Sequence, residues 1–215
     1  MITLTHKLPD NQKFFIACSG GVDSMSILKW LSEGSRLPFG IIYIHHNTGQ
    51  YADNALEFVV KNTTDYSDQL FVHRIKDSPP KGSSKEEWWR NNRYKAFQEI
   101  IDKTKNYPII LGHNLDDCVE QYIMSTMIRI KTNPIISYNG PSNTIRPFRT
   151  WKKKNIINYA LNKGIKWIED PSNKDTSFTR NKVRHDLLPI IAKMNPGIYK
   201  HVKKLILDED LLCRK

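Results

Sequence analysis

Six residues, Ser19-Gly20-Gly21-Val22-Asp23-Ser24, constrain this chain more than any other stretch. An apolar run, Phe14-Phe15-Ile16-Ala17-Cys18, leads into them, and an amphipathic run from Met25 to Leu31 leads out. That order reads as a strand, a tight turn and a helix start. Two adjacent glycines let the backbone reverse sharply and approach a ligand closely. The free N–H groups of a helix N-terminus, at the positive end of its dipole, favour an anion. Ser19 and Ser24 add hydroxyl donors, so the expected ligand is the phosphate end of a nucleotide. The kinase-type phosphate loop, Gly-x-x-x-x-Gly-Lys-Ser/Thr, is excluded because the chain contains no Gly-Lys pair.

Short apolar runs rich in Ile, Val and Phe recur at residues 14–18, 39–46, 70–75 and 108–113. They do not alternate strictly, as expected of buried parallel strands. Helical patterns separate them at 24–31, 52–63, 84–105 and 115–130, the third opened by a capping-box pattern, Ser84-x-x-Glu87. Strand–helix alternation predicts a doubly wound, mostly parallel α/β sheet with helices on both faces. Right-handed crossovers place the strand C-termini along one edge. The hexapeptide, His45-His46-Asn47 and Gly112-His113 all fall there. Residues 76–85, Lys-Asp-Ser-Pro-Pro-Lys-Gly-Ser-Ser-Lys, form a loop on the same edge. After about residue 150 the pattern becomes helical, at 154–163, 187–193 and 198–212. The expected organisation is a nucleotide-binding domain over 1–150 and a helical, basic extension over 151–215 that packs on it and completes the site.

The formal net charge is +11, and basic residues thicken from Arg146 onward, which fits a polyanionic partner. Beside a nucleotide loop, RNA is a better reading than a membrane. No apolar run approaches the length needed to span a bilayer, and the N-terminal residues lack a secretory apolar stretch. Three scattered cysteines, at 18, 118 and 213, form no metal-like spacing and suit a reducing compartment, with the cytoplasm as the expectation.

Three further clusters carry chemistry. In Gly112-His113-Asn114-Leu115-Asp116-Asp117-Cys118-Val119-Glu120, a strand ends and a helix begins, and Asp117 and Glu120 share a helix face. One of these carboxylates suits Mg²⁺, which binds through one or two carboxylates plus substrate phosphates, and the other a cationic amine. Acids at a helix start also serve simply as caps. In the run Glu86 to Tyr94, Arg90 and Arg93 present planar forks suited to phosphate or carboxylate. Trp88 and Trp89 beside them read first as core packing, and Glu86 with Arg90 as a surface ion pair. After the turn Asp170-Pro171-Ser172-Asn173, Arg180 and Arg184 lie one helical turn apart and suit the phosphates of ATP or RNA.

Ser-Gly-Gly-Val-Asp-Ser by itself resembles the pyrophosphate loop of N-type ATP pyrophosphatases. With His45-His46-Asn47, Glu86-x-x-x-Arg90-x-x-Arg93-Tyr94, the Gly112–Glu120 cluster, Ile145-Arg146-Pro147-Phe148, Trp167-Ile168-Glu169-Asp170-Pro171-Ser172-Asn173, Arg180-Asn181-Lys182-Val183-Arg184 and Leu188-Pro189, the order and spacing resemble the bacterial tRNA(Ile)-lysidine synthetase family over roughly residues 14–191. The resemblance implies an adenine nucleotide alpha hydrolase-like, Rossmann-like fold. It implies an ATP-dependent ligase that joins lysine to C2 of the wobble cytidine of a CAU-anticodon tRNA(Ile). The base is first adenylated with release of pyrophosphate, and the lysine ε-amine then displaces AMP. Ser19, Gly20, Gly21, Val22, Asp23 and Ser24, with His45 and His113, would bind ATP. Asp23 and Asp117 would hold Mg²⁺, and Glu120 would orient the lysine. Arg90, Arg93, Arg180, Asn181 and Arg184 would meet the nucleotide or tRNA, with Asp23, Asp117, Glu120 and Arg184 as the catalytic set. The family also suggests homodimers, and the lack of a long apolar run suggests no membrane association.

The chain departs from the family pattern in several places. Ile44-His45-His46-Asn47-Thr48-Gly49-Gln50 stands where His-x-x-His-Gly-Leu-Arg is usual, so the arginine is missing; Gln121 follows Glu120 where threonine is usual, residues 131–140 replace a glycine-rich segment, and Trp89 fills a place often held by alanine. Many members continue into C-terminal domains that select the tRNA. The sequence here ends soon after the 198–212 helix, so selectivity is expected to come from the catalytic domain, from another chain, or to be poor. A tRNA thiolase of the same superfamily and a non-catalytic tRNA-binding relic are the competing readings. The first lacks paired cysteines here, and the second has no use for the carboxylates at 23 and 117.

Overall fold

The computed structural model describes residues 13–34, 38, 40–67, 69–127 and 137–212, with backbone alone for 210–212. Its centre is strand β1 (Phe15–Ala17), paired in parallel with β2 (Gly40–His45) on one side and β4 (Ile109–Ile110) on the other. β3 (Leu70–Arg74) extends the sheet beyond β2, also in parallel. Two short strands close the far side: β6 (Thr144–Ile145) runs parallel to β4, and β5 (Asn139–Gly140) runs antiparallel to β6. The order is β3-β2-β1-β4-β6-β5. The chain leaves β1 towards β2 and later returns to β1's other side with β4. The switch of direction therefore lies between β1 and β4, where open α/β sheets bind ligands.

The sheet is sandwiched as its apolar runs require. On one face α1 (Val22–Glu33), α2 (Gln50–Thr63) and α5 (Lys153–Asn162) bury Ile27, Leu28, Leu31, Val59, Ile156 and Ala160 with Ile16, Ile41 and Tyr43 of the strands. On the other, α3 (Lys85–Asp102) lays Phe97, Ile100 and Ile101 against Phe15, Ile42 and Ile109. The Phe, Ile and Leu side chains each contribute roughly 1.5–3 kcal/mol when fully buried, which explains why runs with little alternation fold here as central strands. Ser84 caps α3 as its sequence suggests, accepting from the Glu87 N–H at 3.3 Å.

A third cluster packs α4 (Leu115–Met127) against later helices: α6 (Thr179–Lys182), a π-helical turn over Val183–Leu187, α7 (Leu188–Met194) and α8 (Ile198–Leu212). The helical run from 179 to 194 is continuous, longer than the 187–193 segment the sequence pattern suggests. Pro189 explains its widened turn, because proline has no N–H to give the carbonyl of His185 four residues back. Arg149, fully buried, donates from Nη1 to Glu209 Oε2 at 2.8 Å, and the Ser137 hydroxyl donates to Glu209 Oε1 at 2.7 Å. Together they fasten α8 beside the β5–β6 edge. Among the described residues no helix is long and apolar enough to cross a membrane. The end of the expected 115–130 helix, Phe39, most of the 131–140 segment and Cys213 lie outside the described residues.

Candidate active site

The loops after β1 and β4 meet at the switch point. Gly20 adopts a left-handed φ of +80°, and a Cβ there would press on Ile168 and Val59 at 3.2 Å. Both conformation and close packing therefore call for glycine. The Ile168 N–H donates to the Gly20 carbonyl at 3.0 Å, which ties the 167–173 segment to the loop. The Ser19 N–H donates to Ser24 Oγ at 3.2 Å, and that hydroxyl donates to the Gly21 carbonyl at 3.0 Å. Gly21 caps α1 without a side-chain bond, so the first-turn N–H groups of Val22, Asp23 and Ser24 are left to an anion.

Asn114 joins the two motifs. Its Oδ1 accepts from the Asp117 N–H at 3.1 Å, while Asp117 Oδ2 accepts from the Asn114 N–H at 2.9 Å, a reciprocal helix cap. Its Nδ2 donates to Asp23 Oδ1 at 3.1 Å. Lys153 Nζ donates to the other oxygen of Asp23 at 2.5 Å. The Lys153 N–H is itself held by Asp116 Oδ2 at 2.7 Å, and Tyr199 donates to Asp116 Oδ1 at 3.1 Å. Burial raises the pKa of Asp23, the Lys153 ammonium opposes this, the Asp117 carboxylate adds to it, and the net direction is upward. Two mutually repelling carboxylates within reach of one asparagine form a hard-oxygen donor set for a divalent cation. Among the described residues no group of three His, Cys, Asp or Glu gathers as a metal site. Remaining positions around such a cation would thus fall to phosphate oxygens and water, as Mg²⁺ prefers.

Behind them Glu120, 1 % exposed, is gripped by two arginines. Arg180 Nε donates to Oε2 at 2.7 Å, and Arg184 donates from Nε to Oε1 at 2.6 Å and from Nη2 to Oε2 at 3.0 Å. Arg180 Nη2 also reaches Asp117 Oδ1 at 3.2 Å. Burial would lower the Arg180 pKa, but the Asp117 and Glu120 carboxylates raise it on balance. Arg184 follows the same pattern. Arg180 and Arg184 share a face as their spacing suggests, yet they point inward onto these acids.

The remaining expected residues divide. His113, at the end of β4, keeps a buried Nδ1 without a hydrogen-bond partner. Its pKa is pushed well down by burial and by Arg146, Arg180, Arg93 and Arg90. Arg93 is half-buried and carries no ion pair among the described residues; burial lowers its pKa, with Arg90 and Arg180 adding to this. Arg90 lies over the Tyr94 ring at 5.3 Å rather than on Glu86. His45 belongs to a different set. Its Nδ1 accepts from the Asn47 N–H at 3.2 Å, and its Nε2 lies 3.1 Å from Asp53 Oδ1, so it braces the turn after β2. Asn47 has a φ of +55°, which asparagine tolerates better than most residues. Asn181 is also structural here, with Nδ2 donating to the carbonyls of Ser172 and Asp175, both at 2.8 Å.

A family model for the PP-loop domain, ATP_bind_3, matches residues 2–191. The chain belongs to the PP-loop domain family. Curated relatives of this PP-loop domain include the tRNA(Ile)-lysidine synthase of Francisella philomiragia, 30 % identical over 196 residues covering 88 % of this chain and 48 % of the relative. That of Nitrosomonas europaea is 31 % identical, covering 86 % of this chain and 42 % of the relative. The chain thus spans about half the length of the curated relatives it matches, or less. Among solved structures, the U34-tRNA thiolase NcsA of Methanococcus maripaludis, with its [4Fe-4S] cluster, superposes with a TM-score of 0.70 at 17 % identity over 94 % of this chain and 74 % of that one, a likeness of fold.

Three residues of this PP-loop domain escaped the sequence reading. Asn114 was visible only as a residue before a helix, where Asn is a favoured cap. Lys153 was hidden inside Lys152-Lys153-Lys154, which reads as solvated charge. His46, next to the expected His45, holds a buried Nδ1 without a hydrogen-bond partner. Burial and then Arg93 push its pKa down from 6.5 to about 4. The unfolded chain protonates His46 near 6.5, so the unfolded state binds more protons between pH 6.5 and 4. Stability is therefore lost as pH falls through that window, by up to about 3 kcal/mol from this residue. Urea unfolding at pH 7.5 and pH 4.5 checks this: His46→Gln should lose clearly less stability than the parent between the two, and equal losses would refute it.

Proposed function

We propose that this PP-loop domain is the catalytic part of a tRNA(Ile)-lysidine synthase, adenylating the wobble cytidine of a CAU-anticodon tRNA and joining L-lysine to its C2. The single observation that carries the reading is the Asn114 bridge, which sets Asp23 of the glycine loop beside Asp117 at the mouth of α4. The lysidine synthase relatives supply the substrate class.

In this reading Gly20, Gly21 and the first N–H groups of α1 hold the ATP phosphates, and Ser19 and Ser24 keep the loop in shape. Asp23 and Asp117 would hold Mg²⁺, which when bound neutralises charge on the departing pyrophosphate. The C2 oxygen of the cytidine bonds to the α-phosphorus, and the bond from that phosphorus to the bridging oxygen breaks. Arg180 and Arg184, poised on Glu120, supply further positive charge to the phosphates. The lysine ε-amine then bonds to C2, loses a proton, and AMP leaves with the original oxygen. Glu120 acts here through its two arginines; it receives the lysine amine directly only when they swing to the phosphates. Lys153 against Asp23 shows that an alkylammonium fits at that carboxylate.

The test mixes the purified chain with ATP, Mg²⁺, labelled lysine and tRNA carrying a CAU anticodon. Label should enter the tRNA only with ATP and not with Asp117→Ala. An elongator tRNA(Met) lane measures how well the chain discriminates. Pyrophosphate release without label would leave base adenylation with another nucleophile and overturn the lysine step. Cys18 is a poor candidate for such a nucleophile, because burial raises its thiol pKa and its Sγ donates to Ser24 Oγ at 3.6 Å.

A further inference from the structure

Trp88 and Trp89 open α3 on the ligand edge of the sheet, and both are half-buried. Core packing is the ordinary role of such a pair, yet neither joins any of the three apolar clusters among the described residues. They pack on each other instead, edge to face at 4.6 Å between ring centroids. Trp89 also meets the His46 ring edge to face at 5.0 Å and 86°. The partnerless Nδ1 of His46 sits behind this pair.

Glu86 and Glu87 precede the pair in the first turn of α3, and Arg90 and Arg93 follow it. Arg90 is exposed, and Arg93 is half-buried; neither pairs with a carboxylate among the described residues. Arg93 acts electrostatically on both His46, after β2, and His113, after β4. Beside the start of α3 an open cavity of about 270 Å³ is lined by Ser84, Lys85, Glu86, Ser177, Phe178 and Thr179. A half-buried aromatic ledge without a core to fill, flanked by unpaired arginines, is the arrangement that takes unstacked bases with their backbone. Arg90 and Arg93 follow the pair within one helical turn, so phosphates held by them would adjoin a base stacked on Trp89.

We infer that Trp89, backed by Trp88 and His46, stacks an unpaired base of the tRNA anticodon loop beside the base being modified, while Arg90 and Arg93 take the adjoining phosphates. This rests on the tRNA reading above and deepens it. Trp89 is a positioning residue for the RNA and takes no part in the chemistry.

The test uses the whole chain with a CAU tRNA and, separately, with the isolated CAU anticodon stem-loop. In tRNA-dependent pyrophosphate release, Trp89→Ala should raise KM for tRNA about tenfold or more, as loss of one base–aromatic stack implies. KM for ATP and for lysine should stay within about twofold, and Trp89→Phe should retain most of the affinity. The stem-loop should quench tryptophan fluorescence of the parent but not of the Trp88→Phe, Trp89→Phe double variant, and a stem-loop with abasic loop positions should not quench. A rise in the KM of ATP instead would place adenine on the ledge and overturn the inference. So would Trp89→Phe failing as badly as Trp89→Ala with a lowered unfolding midpoint, since that marks packing. Quenching needs no catalysis. Quenching without lysine incorporation would therefore leave the ledge standing and fell only the ligase reading. Incorporation with an unchanged tRNA KM in Trp89→Ala would fell the ledge alone.

Discussion

Asp23→Asn should abolish catalysis while leaving the fold at least as stable. Asparagine keeps the shape of Asp23 and its neighbour contact with Asn114, but it removes one of the two carboxylates proposed to hold Mg²⁺. A weakened hold on that cation would take several kcal/mol of stabilisation from the departing pyrophosphate, a drop of about 10³-fold or more in tRNA-dependent pyrophosphate release. The effect on stability runs the other way. Burial holds the Asp23 carboxyl pKa above its ordinary value, so the ionised group favours the unfolded chain. A neutral isostere lifts that cost at neutral pH, and Lys153, about a third exposed, can return to water. The pattern is the usual conflict between an active site and a stable one. Pyrophosphate release and urea unfolding on the same preparation decide it. A variant that keeps a tenth of the activity, or that fails only because it unfolds, would refute the role given to Asp23.

Glu120→Ala should show the opposite signature, a loss of the fold itself. Its carboxylate is buried and accepts three charged bonds from Arg180 and Arg184. Removing it leaves two partly buried guanidinium groups facing each other with only Asp117 to share. Breaking a buried ion cluster from one side costs about 3–5 kcal/mol. Replacing all three members together, as Glu120→Met, Arg180→Leu and Arg184→Leu, should recover much of that loss, because well-packed apolar groups often match a buried ion cluster. The triple variant should still be inactive. The measurement is the urea midpoint at constant slope. A cost below about 1 kcal/mol for Glu120→Ala would mean the cluster is not buried as described.

These two acids also mark how much of the molecule was legible beforehand. The strands at 14–18, 39–46, 70–75 and 108–113 announced themselves because buried parallel strands are continuous apolar runs. From that alternation alone, the β1 and β4 loops had to share an edge. Strands β5 and β6 did not announce themselves. Each is two residues long, and a reversal through Ser142 and Asn143, both at positive φ, sets them rather than any periodicity. The carboxylates at 117 and 120 were legible as a shared helix face, but not their occupancy. The arginines that seize Glu120 come from another helix, and their spacing looked equally suited to solvent. Asp117, read as either cap or metal ligand, is geometrically a cap that still faces Asp23. Arg149 lay inside a stretch where the neighbouring residues are apolar, and nothing local foretold that Glu209 would meet it 60 residues later.

The grip of Arg180 and Arg184 on Glu120 also sets a timetable for synthesis. Glu120 leaves the ribosome 60 residues ahead of Arg180 and 64 ahead of Arg184. The sheet through β4 has its strands and helices in hand by then, and its core contacts can form as the chain emerges. The carboxylate of Glu120 has no partner until those later residues arrive, and an unpaired ion resists burial. The Gly20 carbonyl waits equally for Ile168. A nascent chain can therefore own a nearly finished sheet and still lack a closed nucleotide loop. The glycine loop and the Glu120 cluster therefore close last, whatever the pace of the sheet beneath them.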